Sequence, residues 1–186
     1  MPTLDYPIRT ERLSLRPYQR EDFDDALTYW SRDDVTRFLY LPTYDEESFV
    51  ERFDDLMKRT RLDAEGDVLT LAIVPDGVER VVGDVTLFWH SEIHRGGEIG
   101  FIVHPDHQGK GYAREASVPL LRLGFEQMDL HRIVGRLDGR NEASSRVLAA
   151  LGMRREAHLV ENEWIKGEWT DELVYAMLQS EWRGRS

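Results

Sequence analysis

The chain has 186 residues, 41% of them hydrophobic and 10% aromatic, which suits one globular domain and excludes an extended disordered chain. A formal net charge of −11 argues against nucleic acid as a general partner, because affinity for the phosphate backbone rests on basic surface. The absence of cysteine excludes disulfides, thiolate metal sites and a covalent thiol carrier.

No apolar stretch approaches the length of a membrane helix, and "MPTLDYPIRTERL" lacks the apolar core of a signal peptide. A cytoplasmic location without membrane attachment is therefore expected. "TERLSLRPY" (10–18) alternates Leu13 and Leu15 with polar neighbours and reads as a first strand ended by Pro17. Residues 20–39 place Phe23, Leu27 and Trp30 at helical spacing, and 45–59 do the same with Phe49, Phe53 and Leu56. Both predicted helices are acidic: residues 21–67 hold fifteen Asp and Glu against six Lys and Arg. A solvated helix face accounts for that charge better than substrate steering does.

The period then changes. "VLTLAIVPDGVERVVGDVTLFWH" (68–90) predicts two strands around a turn at Pro75 and Gly77, and "EIGFIV" (98–103) predicts a third, buried one. Next comes "HPDHQGKGYAREA" (104–116), with Ala113, Ala116 and Leu120 beginning a helical pattern behind its glycines. Pro119 falls inside that helix, where it removes a hydrogen bond and crowds the carbonyl of Glu115, so a kink or local break is expected. A strand at 131–139 and a helix at 141–152 follow, the latter with Asn141 as N-cap and Gly152 as its stop. Two strands around "KG" close the order β-αα-βββ-α-β-α-ββ, with no repeat or linker. One domain over 1–186 is expected.

The glycine turn joins a strand to a helix start, where unpaired N–H groups and the positive end of the helix dipole favour an anion. The surrounding segment, 104–154, is locally basic, with eight Lys and Arg against six Asp and Glu. A Walker loop would need Ser or Thr after Lys110, where Gly111 stands. A dinucleotide fingerprint would need a small residue where Arg114 stands. Gln108, Gly111 and Ala113 match a third pattern, Gln/Arg-x-x-Gly-x-Gly/Ala.

With that pattern, "TERLSLRP", "GEIGFIVHPDHQGKGYAREA", "NEASSRVLAALGMRREA" and "YAML", the sequence resembles the GNAT superfamily of acyl-CoA-dependent N-acyltransferases across nearly its whole length. Within the superfamily it is most similar to the RimJ/RimL-like branch of ribosomal-protein N-terminal acetyltransferases. The resemblance implies an α/β domain with a mixed, mostly antiparallel twisted sheet of about seven strands and helices on both faces. It implies acetyl-CoA, or another acyl-CoA, as co-substrate, its pyrophosphate held by backbone N–H groups of Gly109, Lys110, Gly111, Tyr112, Ala113 and Arg114, with Gln108 beside them. Side chains at Gly109 and Gly111 would block phosphate from the backbone. Lys110, Arg114 and Arg146 are candidate phosphate cations, although solvated surface cations need no such role. The strand ending at Val103 is expected to pair with the pantetheine arm, with an oxyanion donor near Ile102 or Val103 and Asn141 as a polar anchor.

Transfer to an amine requires a base, and the resemblance offers Glu98 in "EIGF" and Glu163 in "ENEW" without choosing between them. Either also reads as an ion-paired surface carboxylate. Many superfamily members protonate the departing thiolate with a tyrosine; none lies between Tyr112 and Tyr175 here, and the resemblance to the branch implies Ser144, in Asn-x-x-Ser, as the partner of the sulfur instead. Without cysteine, direct attack on the thioester in a ternary complex is favoured. No metal is expected, because His90, His94, His104, His107, His131 and His158 are dispersed. Trp30, Phe38, Tyr40, Trp89 and Trp164 are either acceptor-pocket walls or core. The expected acceptor is a primary amine: a protein N-terminus, polyamine, aminoglycoside or metabolite. A homodimer is left open. The rival readings are a CoA-binding regulatory or degenerate protein, and an interaction module recruiting a basic partner through the acidic helices.

Overall fold

The computed structural model describes residues 4–184. A single eight-stranded sheet runs through it: β1 (Ile8–Arg9), β2 (Leu13–Arg16), β3 (Val68–Pro75), β4 (Gly83–Ser91), β5 (Gly96–Val103), β6 (Arg132–Asp138), β7 (Arg154–Ile165) and β8 (Glu168–Leu178). The spatial order is β1-β2-β3-β4-β5-β6-β8-β7, and every neighbouring pair is antiparallel except β5 and β6. The eighth strand is β1, two residues long and too short to leave a period in the sequence. The other strands fall where alternation and β-branched runs place them.

Six α-helices accompany the sheet: α1 (Phe23–Trp30), α2 (Asp33–Thr36), α3 (Glu46–Lys58), α4 (Tyr112–Arg122), α5 (Glu142–Ala150) and α6 (Gln179–Arg183). The single helix expected over 20–39 divides into α1 and α2, because the chain turns extended at Arg32 (φ −99°, ψ 126°) before resuming. Pro119 does not break α4. The helix runs three residues past it and then widens into a π-helix over Leu123–Gln127. In that last segment the longer i→i+5 spacing takes over, as where Met128 N–H reaches Leu123 O at 3.0 Å.

Alternation along the strands divides the buried side chains into two cores. One face sends Leu69, Leu71, Ile73, Val85 and Leu87 against α4 and α5 through Leu120, Leu121 and Leu148. The other face packs Ala72 and half-buried Ile102 against Tyr29, Trp30, Phe49 and Phe53 of α1 and α3. Helices therefore cover both faces, as expected. Among the described residues no helix is long and apolar enough to cross a membrane, and no group of three or more His, Asp or Glu is placed to hold a metal ion.

Candidate active site

The geometry of the site begins where β5 and β6 part. Only Gly96, Gly97 and Glu98 of β5 pair with β6, opposite Arg132, Ile133 and Val134. Beyond Glu98 the two strands diverge, β6 staying with β8 as far as Asp138 and β5 staying with β4 as far as Val103. The backbone of β5 after Glu98 thus has β4 on one side and no strand on the other.

Which amides face that opening follows from ladder alternation. His104 N–H donates to Val82 O at 2.8 Å, so the even-numbered residues of β5, Ile102 included, turn their backbone groups to β4. Val103 and Phe101 turn theirs outward. Of the two residues expected near the oxyanion, Val103 faces the opening and Ile102 does not. Phe101, overlooked in the sequence, faces the opening with Val103, because strand alternation becomes decisive only once the β4 register is known.

The glycine turn closes one end of the opening. Gly109 (φ 74°) and Gly111 (φ 83°) both sit in the left-handed region, and Gly111 is the N-cap of α4. A Cβ on Gly109 would meet nothing within 4 Å, so the turn presents bare backbone to open space. Gln108 works from behind: its Nε2 donates to Val103 O at 2.9 Å, tying the turn to the end of β5. Lys110 lies 3.5 Å from His107 Nδ1, Arg114 is exposed, and Tyr112 carries the Arg12 guanidinium 5.3 Å from its ring centre. Ala113, small enough to leave the turn uncovered, gives its carbonyl to Ser117 Oγ at 2.7 Å.

Asn141 caps α5, its side chain accepting from Ser144 N–H at 3.0 Å, and the hydroxyl of Ser144 takes no part in that cap. Arg146 pairs with Glu142 one turn away at 3.4 Å, the arrangement of an ordinary exposed helix pair.

Glu98 and Glu163 converge on one face through three residues absent from the sequence reading, Arg136, Glu172 and Asn162. Glu98 Oε2 accepts from His90 at 2.9 Å and lies 3.8 Å from Arg136 Nε. Arg136 Nη1 is in turn 3.7 Å from Glu172 Oε1, and Glu172 Oε2 accepts from Asn162 Nδ2 at 3.0 Å. That same amide also reaches Glu163 at 3.3 Å. Tyr40 completes the group, its hydroxyl donating to Glu172 at 3.4 Å. Burial pushes the Glu172 carboxyl up, Arg136 opposes the shift, and the charge of Glu163 adds to it. Glu172 escaped notice because "WTDELVY" reads as a strand, and nothing local marks its fourth residue as buried beside an arginine.

These residues fit an acyl-CoA: an anion-ready helix start, an open strand edge and carboxylates at the far end. A model of the acetyltransferase (GNAT) domain family matches residues 12–154. The chain belongs to the GNAT acetyltransferase family. It is similar to an uncharacterized N-acetyltransferase, YnaD, of Bacillus subtilis, at 30% identity over 94% of this chain and 98% of that one. The spermidine N(1)-acetyltransferase of Vibrio cholerae is 31% identical, again over 94% of this chain and 98% of the relative. Among solved structures, a GNAT-family acetyltransferase of Bacillus anthracis superimposes with a TM-score of 0.81 at 30% identity, covering 94% of this chain and 99% of its own. This GNAT protein is accordingly an N-acyltransferase, moving an acyl group from acyl-CoA to an amine.

Proposed function

We propose that this acetyltransferase carries an acetyl group from acetyl-CoA to the primary amine of a small polycationic acceptor, by direct attack in a ternary complex. The observation that carries the reading is the position of Glu98, an anchored carboxylate at the point where β5 loses its partner. Glu98 takes the proton of the amine, whose lone pair then forms the N–C bond as the C–S bond of the thioester breaks. One of the two outward amides, that of Phe101 or that of Val103, stabilises the carbonyl oxygen as charge gathers on it. Ser144 offers its hydroxyl to the departing sulfur. The backbone from Gly109 to Arg114 holds the pyrophosphate, with Gln108 bracing the turn and Asn141 anchoring the arm.

The acceptor class rests on charge. Glu98, Glu163 and Glu172 share one face with Arg136, while the nearby Arg140 is consumed by Asp138 and Glu168 at 2.7 Å each. The face therefore keeps an excess of carboxylate, which suits an acceptor bearing more than one ammonium group. The spermidine acetyltransferase relative supports the same class. The motifs "TERLSLRP" and Asn-x-x-Ser support the RimJ/RimL-like branch, whose acceptor is instead a protein N-terminus.

Thiol release from acetyl-CoA decides between them when measured with spermidine, a diaminoalkane, an aminoglycoside and a short peptide with a free α-amine. One added ammonium–carboxylate contact is worth about tenfold, so kcat/KM for spermidine should exceed that for the peptide by at least about that factor. Preference for the peptide would reassign the acceptor to a protein N-terminus. No thiol release with any amine would favour a CoA-binding regulator.

A further inference from the structure

We infer that His90 is the positioning residue that holds Glu98 in place for the amine and keeps Arg136 off it, and this rests on the reading of Glu98 as the proton acceptor. Three features of the fold are spent on aiming that one imidazole. The ladder between β4 and β5 slips at this point: Trp89 is opposite Gly97 and Ser91 opposite Gly96, leaving His90 as the extra residue of a β-bulge. Bulges re-aim the side chain they carry. The ring then lies stacked on Phe88, centroids 5.9 Å apart and planes 15° from parallel, which fixes the plane in which its nitrogens point. Its Nε2 edge meets Glu98 Oε2 at 2.9 Å.

What this achieves follows from the competition for Oε2. Arg136 approaches the same oxygen from β6, at 3.8 Å, and is half exposed, so it has room to move closer. A guanidinium in full contact with a carboxylate favours the ionised form strongly and lowers its basicity. The single ring N–H of His90 satisfies that oxygen without the two-point grip a guanidinium can take. His90 therefore occupies the position Arg136 would otherwise take, and Arg136 is left shared with Glu172 on β8. Oε1 of Glu98 stays available to the amine. The titratable and charged groups around this carboxylate are His90 from β4, Arg136 from β6 and, more distantly, Glu172 from β8, with Glu163 of β7 beyond Glu172.

The test compares pH–rate profiles of the full-length enzyme, with one accepted amine, for His90→Ala, His90→Gln, Glu98→Gln and the double variant His90→Ala/Arg136→Ala. CoA affinity by calorimetry and a thermal melt accompany each. In His90→Ala, kcat should fall about tenfold with KM for acetyl-CoA unchanged, and the acid limb of kcat should move to lower pH as Arg136 closes on Glu98. His90→Gln, which keeps an N–H at a similar reach, should recover most of the rate. Removing Arg136 in the His90→Ala background should return the acid limb toward its original position. Parental kcat and an unmoved limb in His90→Ala, with Glu98→Gln slow, would overturn the role of His90 alone. A loss shared equally by both His90 variants, with the limb unmoved, would make the residue merely structural and overturn it too. Full activity in Glu98→Gln would remove the base itself, and with it this inference.

Discussion

Glu115 of α4 accepts a hydrogen bond from the Thr10 hydroxyl at 2.6 Å and another from the Arg12 backbone N–H at 2.8 Å, and it pairs with the Arg12 guanidinium as well. One carboxylate thus staples the segment before β2 to the helix that begins in the glycine turn. Burial pushes its pKa up, but the bonds from Thr10 and Arg12 outweigh that and hold it below the usual carboxylate value. A depressed folded-state pKa gives stability that is present above the unfolded pKa, near about 4.3, and lost as pH falls through the folded one. Glu115→Ala should therefore cost about 1–3 kcal/mol at neutral pH. The gap in denaturant midpoint between parent and variant should close below about pH 4. A gap that stays constant with pH would mean that packing, rather than the ionised staple, is what the variant loses.

Gly109→Val separates backbone shape from fold. The left-handed φ of 74° imposes a cost of about 1–2 kcal/mol on any residue with a Cβ, and the surroundings impose none, since nothing lies within 4 Å. The melting temperature should drop by about 2–8 °C, whereas CoA affinity should fall at least about tenfold as the side chain fills the space before the amides. Calorimetric titration with CoA beside a thermal melt checks both. Parental affinity in a folded variant would remove the phosphate role of the turn.

Much of this architecture was legible in the sequence because its signals are local. Leu13 and Leu15 alternate, Phe49, Phe53 and Leu56 recur at helical spacing, and Asn141 stands before its helix with Ser144 three residues on. Of the candidate site, the glycine turn, the strand before it, Asn141, Ser144 and Glu163 can be named from the sequence, but not what joins Glu98 to Glu163. The network around Glu98 joins residues from β4, β6, β7 and β8, and its members are ordinary strand residues until sheet order brings them together. His90 is the plainest case. Its bulge exists only relative to β5, so no pattern along β4 could announce it.

The cap of α5 yields a paired prediction. Asn141→Ala removes the acceptor of the Ser144 amide, which should cost about 1 kcal/mol of stability and, if the same side chain anchors the pantetheine arm, weaken CoA binding also. Ser144→Ala leaves the cap intact, because the amide and not the hydroxyl is capped, so its melt should match the parent while kcat falls. Steady-state kinetics and melts on both variants check this. An unchanged kcat in Ser144→Ala would dissociate the hydroxyl from the departing sulfur.

The last prediction concerns Asp84, which is fully buried beneath the site and stands opposite Ile102 in the ladder. Tyr18 donates to its Oδ2 at 2.9 Å, and the Tyr18 and Tyr29 hydroxyls meet at 2.5 Å. Burial pushes the Asp84 carboxyl up to about 6, against the opposing pull of the Tyr18 bond and the charges of Arg52 and Arg59. The sign is opposite to that of Glu115. A carboxyl whose folded-state pKa is raised contributes stability that is fully present below its unfolded pKa, about 3.9, and lost as pH rises through about 6. Ionising Asp84 in place should therefore destabilise the domain by on the order of 2–3 kcal/mol between about pH 4 and pH 8. Asp84→Asn keeps an oxygen for Tyr18, supplies N–H groups to the Tyr29 side, and cannot ionise. Its stability should exceed the parent's at pH 8, and the difference should disappear toward pH 4. Urea midpoints for both proteins across that range make the comparison, with the histidines common to both cancelling in the difference. Parallel curves would show that Asp84 keeps one protonation state throughout, and that the two tyrosines and two arginines around it already compensate its burial.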